Sequence, residues 1–158
     1  MGESELVRRL ARWNVWANSL VGAALEESGG EPVAALAAYQ HVFETELTWL
    51  RRIEGHASPN VPLWGPPDFP QTRVWRAEAE ALMAHVATSA DEMLLSRRFS
   101  YSNSRGEQFT DGVEMPLFQV FMHSQQYRGE AAGFLNAAGY RVPDFDLIFW
   151  ARLGEPEA

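Results

Sequence analysis

The stretch Met115–Gly139, MPLFQVFMHSQQYRGEAAGFLNAAG, constrains this chain more than any other. It predicts a long helix, with a polar line of Gln119, His123, Gln126, Tyr127 and Glu130 on an otherwise apolar cylinder. At 100° per residue these five fall within roughly 60° of His123, and the opposite arc holds Leu117, Phe118, Phe121, Ala132 and Leu135. Such a line either faces water or lines a site inside a bundle. Amphipathicity by itself favours water.

The rest of the chain supplies three more helices. Leu6, Leu10, Trp13, Ala17, Leu20 and Ala24 recur at spacings of three and four from about Glu5 to Glu27, and Ser28-Gly29-Gly30 stops that helix. A second is expected over about Pro32–Glu54, ending at Gly55. Leu36, Phe43, Leu47, Leu50 and Ile53 make its apolar face; His41 lies amid small residues, Ala34, Ala37, Ala38, Thr45 and Thr48. The five prolines of Gly55–Pro70 exclude a helix there, while Trp64 and Phe69 make the segment too apolar for a free linker. It reads as a strap over the bundle. A third helix is expected over about Thr72–Ser96, with Val74, Leu82, Val86, Met93 and Leu94 inward. Arg97–Gly112 alternates Phe99 and Tyr101 with polar residues around Asn103-Ser104-Arg105-Gly106, the pattern of a short hairpin. Asp111 with Glu114 predicts a capped start for the fourth helix, and the tail Tyr140–Gly154 is apolar enough to dock back. The expectation is all-α: one domain over residues 1–158, a four-helix bundle with a hairpin insert before the last helix.

Composition narrows the function. A net charge of −8 argues against nucleic-acid binding and against an anionic membrane surface, because phosphate contact needs a basic face. No apolar run reaches ~18 residues and the N-terminus has no signal-like h-region, so neither a membrane span nor secretion is expected. The absence of cysteine removes disulfides, thiolate metal ligands and a Cys nucleophile, and suits the cytoplasm. Arg128 reads as structural, through ion pairing. His56 and His85 read as surface residues, and Trp13, Trp16, Trp49 and Trp75 as core.

If both polar faces turn inward, His41 and His123 meet across the bundle with Tyr127 one turn below His123. Two imidazoles from facing helices are the start of a divalent-metal site. The usual helical pair is His at i and i+4, and here the second position holds Tyr127.

Four segments in order resemble the DinB/YfiT-like family: RWNVWAN at 12–18, HVFETELTWL at 41–50, HSQQYRGE at 123–130 and PDFDL at 143–147. The resemblance implies a cytoplasmic four-helix bundle in which three histidines hold a divalent metal, commonly Zn or Ni. Characterised relatives are thiol S-transferases, in which the metal activates a small thiol against an electrophile, and homodimers through helix faces are frequent. Carried over, the metal positions are His41, His123 and Tyr127, so the third histidine is replaced, and Glu130 stands where the family has Gln.

A neutral phenol is a poor ligand, since its pKa near ~10 must be overcome first. Glu130 offers a substitute carboxylate one turn further down. Two functional expectations follow from the resemblance. The first is a metal-dependent transferase using a small thiol, with a modified Zn or Ni site. The alternative is a catalytically inactive, metal-free bundle serving as a small-molecule binding or dimerisation module, with His41, His123 and Tyr127 forming a hydrogen-bonded pocket. With His41 in a matching small-residue face and the four segments in order, the expectation is that the polar line of 115–139 is buried; a third possibility leaves it in water.

Overall fold

In a computed structural model of the protein, residues 1–56 and 60–158 are described. The elements run α1 (Glu3–Glu27), α2 (Val33–Ile53), α3 (Phe69–Ser89), α4 (Glu92–Ser96), β1 (Arg98–Ser102), β2 (Gln108–Gly112), α5 (Glu114–Ala137) and α6 (Leu147–Arg152). The long helices α1, α2, α3 and α5 form the all-α bundle. α1 and α2 each pack on both α3 and α5, so they lie across the diagonal of the bundle. The antiparallel hairpin β1–β2 sits before α5 in the expected place, with Tyr101 opposite Phe109.

Local chemistry accounts for most boundaries. α1 stops where Gly30 takes φ +87° and its amide reaches back to the carbonyl of Leu25, a conformation that costs glycine little. α3 starts earlier than expected because the Asp68 side chain accepts from the amide of Gln71 and Pro70 sits harmlessly in the first turn. It also ends sooner. Ala90 is extended, and Asp91 starts the separate α4 by accepting from the Leu94 amide at 2.7 Å. That break and the true inward face, Thr72, Ala79, Met83 and Val86, leave Val74 and Met93 exposed rather than inward. The expected cap of α5 does not form. Asp111 belongs to β2 and accepts from the Tyr101 hydroxyl at 2.7 Å, and Val113 precedes the helix without a side-chain bond.

The tail docks as expected. The Trp13 indole donates to the Phe145 carbonyl at 2.9 Å, and Trp150 is fully buried. The strap also holds. Pro59, with Ala57 and Ser58, lies outside the described residues; beyond it the segment runs without helix to Phe69. Among the described residues no helix is long and apolar enough to cross a membrane.

α2 is the element around which the others gather: every residue from Ala38 to Thr48 is buried, carboxylates included. Glu46 reaches the centre of the bundle. Its Oε1 accepts from Asn14 (2.8 Å), Asn18 (3.2 Å) and the Ser124 hydroxyl (2.8 Å). The carbonyl oxygens of the same two asparagines accept from Arg128 at 2.6 and 2.8 Å. Each amide therefore donates to the carboxylate and accepts from the guanidinium, which lies over the Trp13 ring. Burial pushes Glu46 above its ordinary 4.5, against the lowering effect of these bonds and of Arg128, and lowers Arg128 to about 10. Arg128 is structural, as expected, but works through two bridging amides at the bundle centre.

Removing one member of a buried charge pair leaves the other uncompensated, at a cost of about 3–5 kcal/mol. Arg128→Ala is expected to destabilise the protein by about that much in urea unfolding. A loss under ~1 kcal/mol, the scale of an exposed pair, would show that the network does not hold the helices together.

Candidate functional site

The second buried carboxylate of α2 builds the site. Glu44 lies one turn beyond His41, and its Oε2 is 3.0 Å from His41 Nδ1. The same carboxylate accepts from Gln40 Nε2 (2.9 Å) and from the strap amides of Trp64 (2.7 Å) and Gly65 (3.1 Å). Burial alone would raise the Glu44 pKa. The bonds from His41, Gln40, Trp64 and Gly65 outweigh that and hold it below the ordinary 4.5. An ionised Glu44 makes Nδ1 the protonated nitrogen of His41 and leaves Nε2 as the ring's acceptor in the neutral imidazole. Gln40 completes the anchor, its carbonyl accepting from the Asp68 amide at 2.8 Å and from the Thr72 hydroxyl at 3.1 Å.

Four rings meet in front of this anchor. The Trp64 indole stacks on His41 at 3.6 Å between centroids and 14° between planes. His123 lies 5.0 Å from His41, and Tyr127 lies 4.6 Å from each imidazole. The three residues singled out in the sequence, His41, His123 and Tyr127, are thus brought together. Burial, and then repulsion by His41, lowers His123 to about 4, so it is neutral at pH 7. Its Nδ1 is buried and has no hydrogen-bond partner among the described residues.

The polar line of α5 divides. His123 and Tyr127 are half-buried at the flank of the helix, whereas Gln119, Gln126 and Glu130 are exposed. Ser124 and Arg128 explain this. They take the centre of the inward face with Val120, Phe121 and Ala131, and one residue earlier on each turn points about 100° away, to the edge. His56 and His85 are exposed, as expected.

This geometry corrects the metal reading. Among the described residues no group of three or more His, Cys, Asp or Glu side chains is arranged to hold a metal ion. His41 and His123 are one donor short: the third position is the phenol of Tyr127, Glu130 faces solvent, and Glu44 is engaged by four hydrogen bonds. The donor set fits neither Zn nor Ni. The small-thiol cofactor falls with it, since the metal was to have activated the thiol. The transferase reading is overturned on the same ground.

Sequence reasoning missed Gln40, Glu44, Glu46, Asn14 and Asn18 as parts of the polar interior, and Trp64 as the ring over His41. A signal was there. Two carboxylates three and five residues beyond His41, and two asparagines four apart beside Trp13 and Ala17, break otherwise apolar helix faces. The fold and site define a class: a four-helix bundle with a buried polar network and, at its flank, a histidine–aromatic site under a proline-rich strap. Comparison with protein-family models, curated proteins and solved structures gives no match for the chain.

The depressed His123 makes a pH prediction. The unfolded chain protonates this imidazole near 6.5, the folded one only near about 4, so the unfolded state binds more protons in between. The corresponding stability is present above 6.5 and is lost as pH falls through that window. Thermal melts should show Tm dropping as pH is lowered below 6.5, and His123→Gln should flatten the part of the curve above the carboxylate range. An unchanged slope in the variant would place the His123 pKa elsewhere.

Proposed function

We propose that this chain is a DinB/YfiT-like bundle acting as a metal-free, non-catalytic module of the cytoplasm that binds a small molecule at His41, His123 and Tyr127. The observation that carries this reading is the His123 Nδ1, buried beside two other rings and without a partner among the described residues. A buried polar atom without a hydrogen bond costs about 1–3 kcal/mol, and a ligand that supplies the bond recovers it. The groups facing one another here are suited to binding: a histidine oriented by an ionised carboxylate, a neutral imidazole, a phenol hydroxyl and an indole. The order of the four DinB/YfiT-like segments supports the family, and the replacement of a third histidine by Tyr127 supports loss of the metal.

Dimerisation fits the same reading. Leu147, Ile148, Phe149 and Leu153 of the tail are exposed and give a second copy an apolar surface to cover. Light scattering at the monomer mass, at concentrations well above micromolar, removes that part.

Two measurements test the module. Calorimetric titration with Zn²⁺ or Ni²⁺ is expected to give no stoichiometric binding; a full equivalent that disappears in His41→Ala would overturn the metal-free reading. A set of small neutral fragments, aromatic and saturated, can be followed through the ring resonances of His41 and His123. Some members are expected to move both rings. If none does, the site is not a binding site.

A further inference from the structure

We infer that the molecule this site takes is a small, neutral, planar aromatic ring with a hydrogen-bonding edge, and that it binds where the Trp64 indole now lies. The inference rests on reading the site as a binding pocket, and adds what it binds and what must move.

The slot is shaped for a flat ring. His41 forms its floor, with the Trp64 plane at 3.6 Å and tilted by only 14°. Tyr127 forms a side wall, edge-on to both rings at 81° to His41 and 71° to Trp64. At 3.6 Å between centroids the stack is nearly face-to-face, and Tyr127 adds an edge-to-face wall; a saturated ring gains neither aromatic contact.

Trp64 fills this shape without meeting its polarity. Its indole makes no hydrogen bond among the described residues, although the His123 ring, 5.0 Å from His41, carries a buried Nδ1 that lacks a partner among them. A planar heterocycle keeps the stack on His41 and brings a donor or acceptor edge toward that nitrogen. Neutrality follows from the electrostatics. The Glu44 carboxylate backs His41, and the chain carries a net charge of −8, so an anion is repelled. A cation would be drawn to Glu44, but His41 and the strap amides already occupy that carboxylate.

Trp64 is also placed to leave. Its residue is 59% exposed, so the ring already meets solvent on one side, and swinging it out uncovers the His41 imidazole beneath, which is 4% exposed. Its backbone holds φ +57°, a left-handed conformation that is an outlier for a bulky side chain and that clusters at ligand clamps. What fixes the strap is the backbone: the amides of Trp64 and Gly65 on Glu44. Rotation about the Trp64 side-chain bonds frees the slot and leaves those anchors in place. The indole is thus a resident competitor, and apparent affinity for a ligand is reduced by the fraction of time it occupies the slot.

The test uses benzimidazole as the planar probe and cyclohexanol as a saturated one carrying a hydroxyl, with the ring resonances of His41 and His123 as the readout at pH 7. Benzimidazole is expected to shift both imidazoles in the natural protein and to bind Trp64→Ala about tenfold tighter, because the competitor is gone. Trp64→Leu, which keeps an apolar side chain over the slot but cannot stack, repeats the measurement if the alanine variant folds poorly. Equal or weaker binding in the variants that fold would overturn the placement of the ligand in the Trp64 slot. Cyclohexanol or other saturated fragments moving both rings, while benzimidazole moves neither, would overturn the aromatic specificity and leave the binding site standing. No movement of either ring with any fragment would remove both.

Discussion

The structure depends on satisfying carboxylates that α2 carries into the interior. Glu46 has no access to water, so its hydration must be replaced by fixed donors. Asn14, Asn18 and Ser124 supply them at Oε1, Oε2 is buried without a partner among the described residues, and Arg128 stands behind the two asparagines as countercharge. This web joins α1, α2 and α5 across the diagonal, where a purely apolar bundle would have only side-chain packing to set its register. An apolar core tolerates a slipped helix. A set of amides that must each meet a carboxylate on one side and a guanidinium on the other does not.

Glu44 does the corresponding work at the edge. It gathers His41, Gln40 and two strap amides, and so decides where the strap lies and which nitrogen of His41 carries the proton. The arrangement that orients His41 also limits it. Glu44 cannot serve as a third ligand while it holds the strap, and the strap brings Trp64 over the imidazole that a metal would need open. The two interior carboxylates, one central and one lateral, thus account for both the rigidity of the bundle and the chemistry left at its flank.

Much of this was legible beforehand, for physical reasons that differ by element. The long helices follow from apolar residues three and four apart, and the hairpin from alternation around Asn103 and Gly106, because such patterns fix local conformation directly. α3 was harder. Its apolar residues are scattered round the cylinder, so Val74 and Met93 looked as much inward as Ala79 and Met83. Only the neighbouring helices choose the face. In the site, His41, His123 and Tyr127 were singled out by the resemblance of their segments to the DinB/YfiT-like family; periodicity alone left them facing water. Trp64 was seen as part of an apolar strap, but its ring position depends on amide bonds to Glu44 that leave no periodic trace.

The sequence by itself determined four long helices, a hairpin and a strap, since periodicity, turn residues and proline act over a few neighbours. The tertiary structure alone decided the fate of the polar line on α5. Ser124 and Arg128 turn inward to answer Glu46, which rotates His123 and Tyr127 to the flank and sends Gln119, Gln126 and Glu130 into water. That rotation is set by charge satisfaction between helices far apart in the chain. No window of sequence contains both partners.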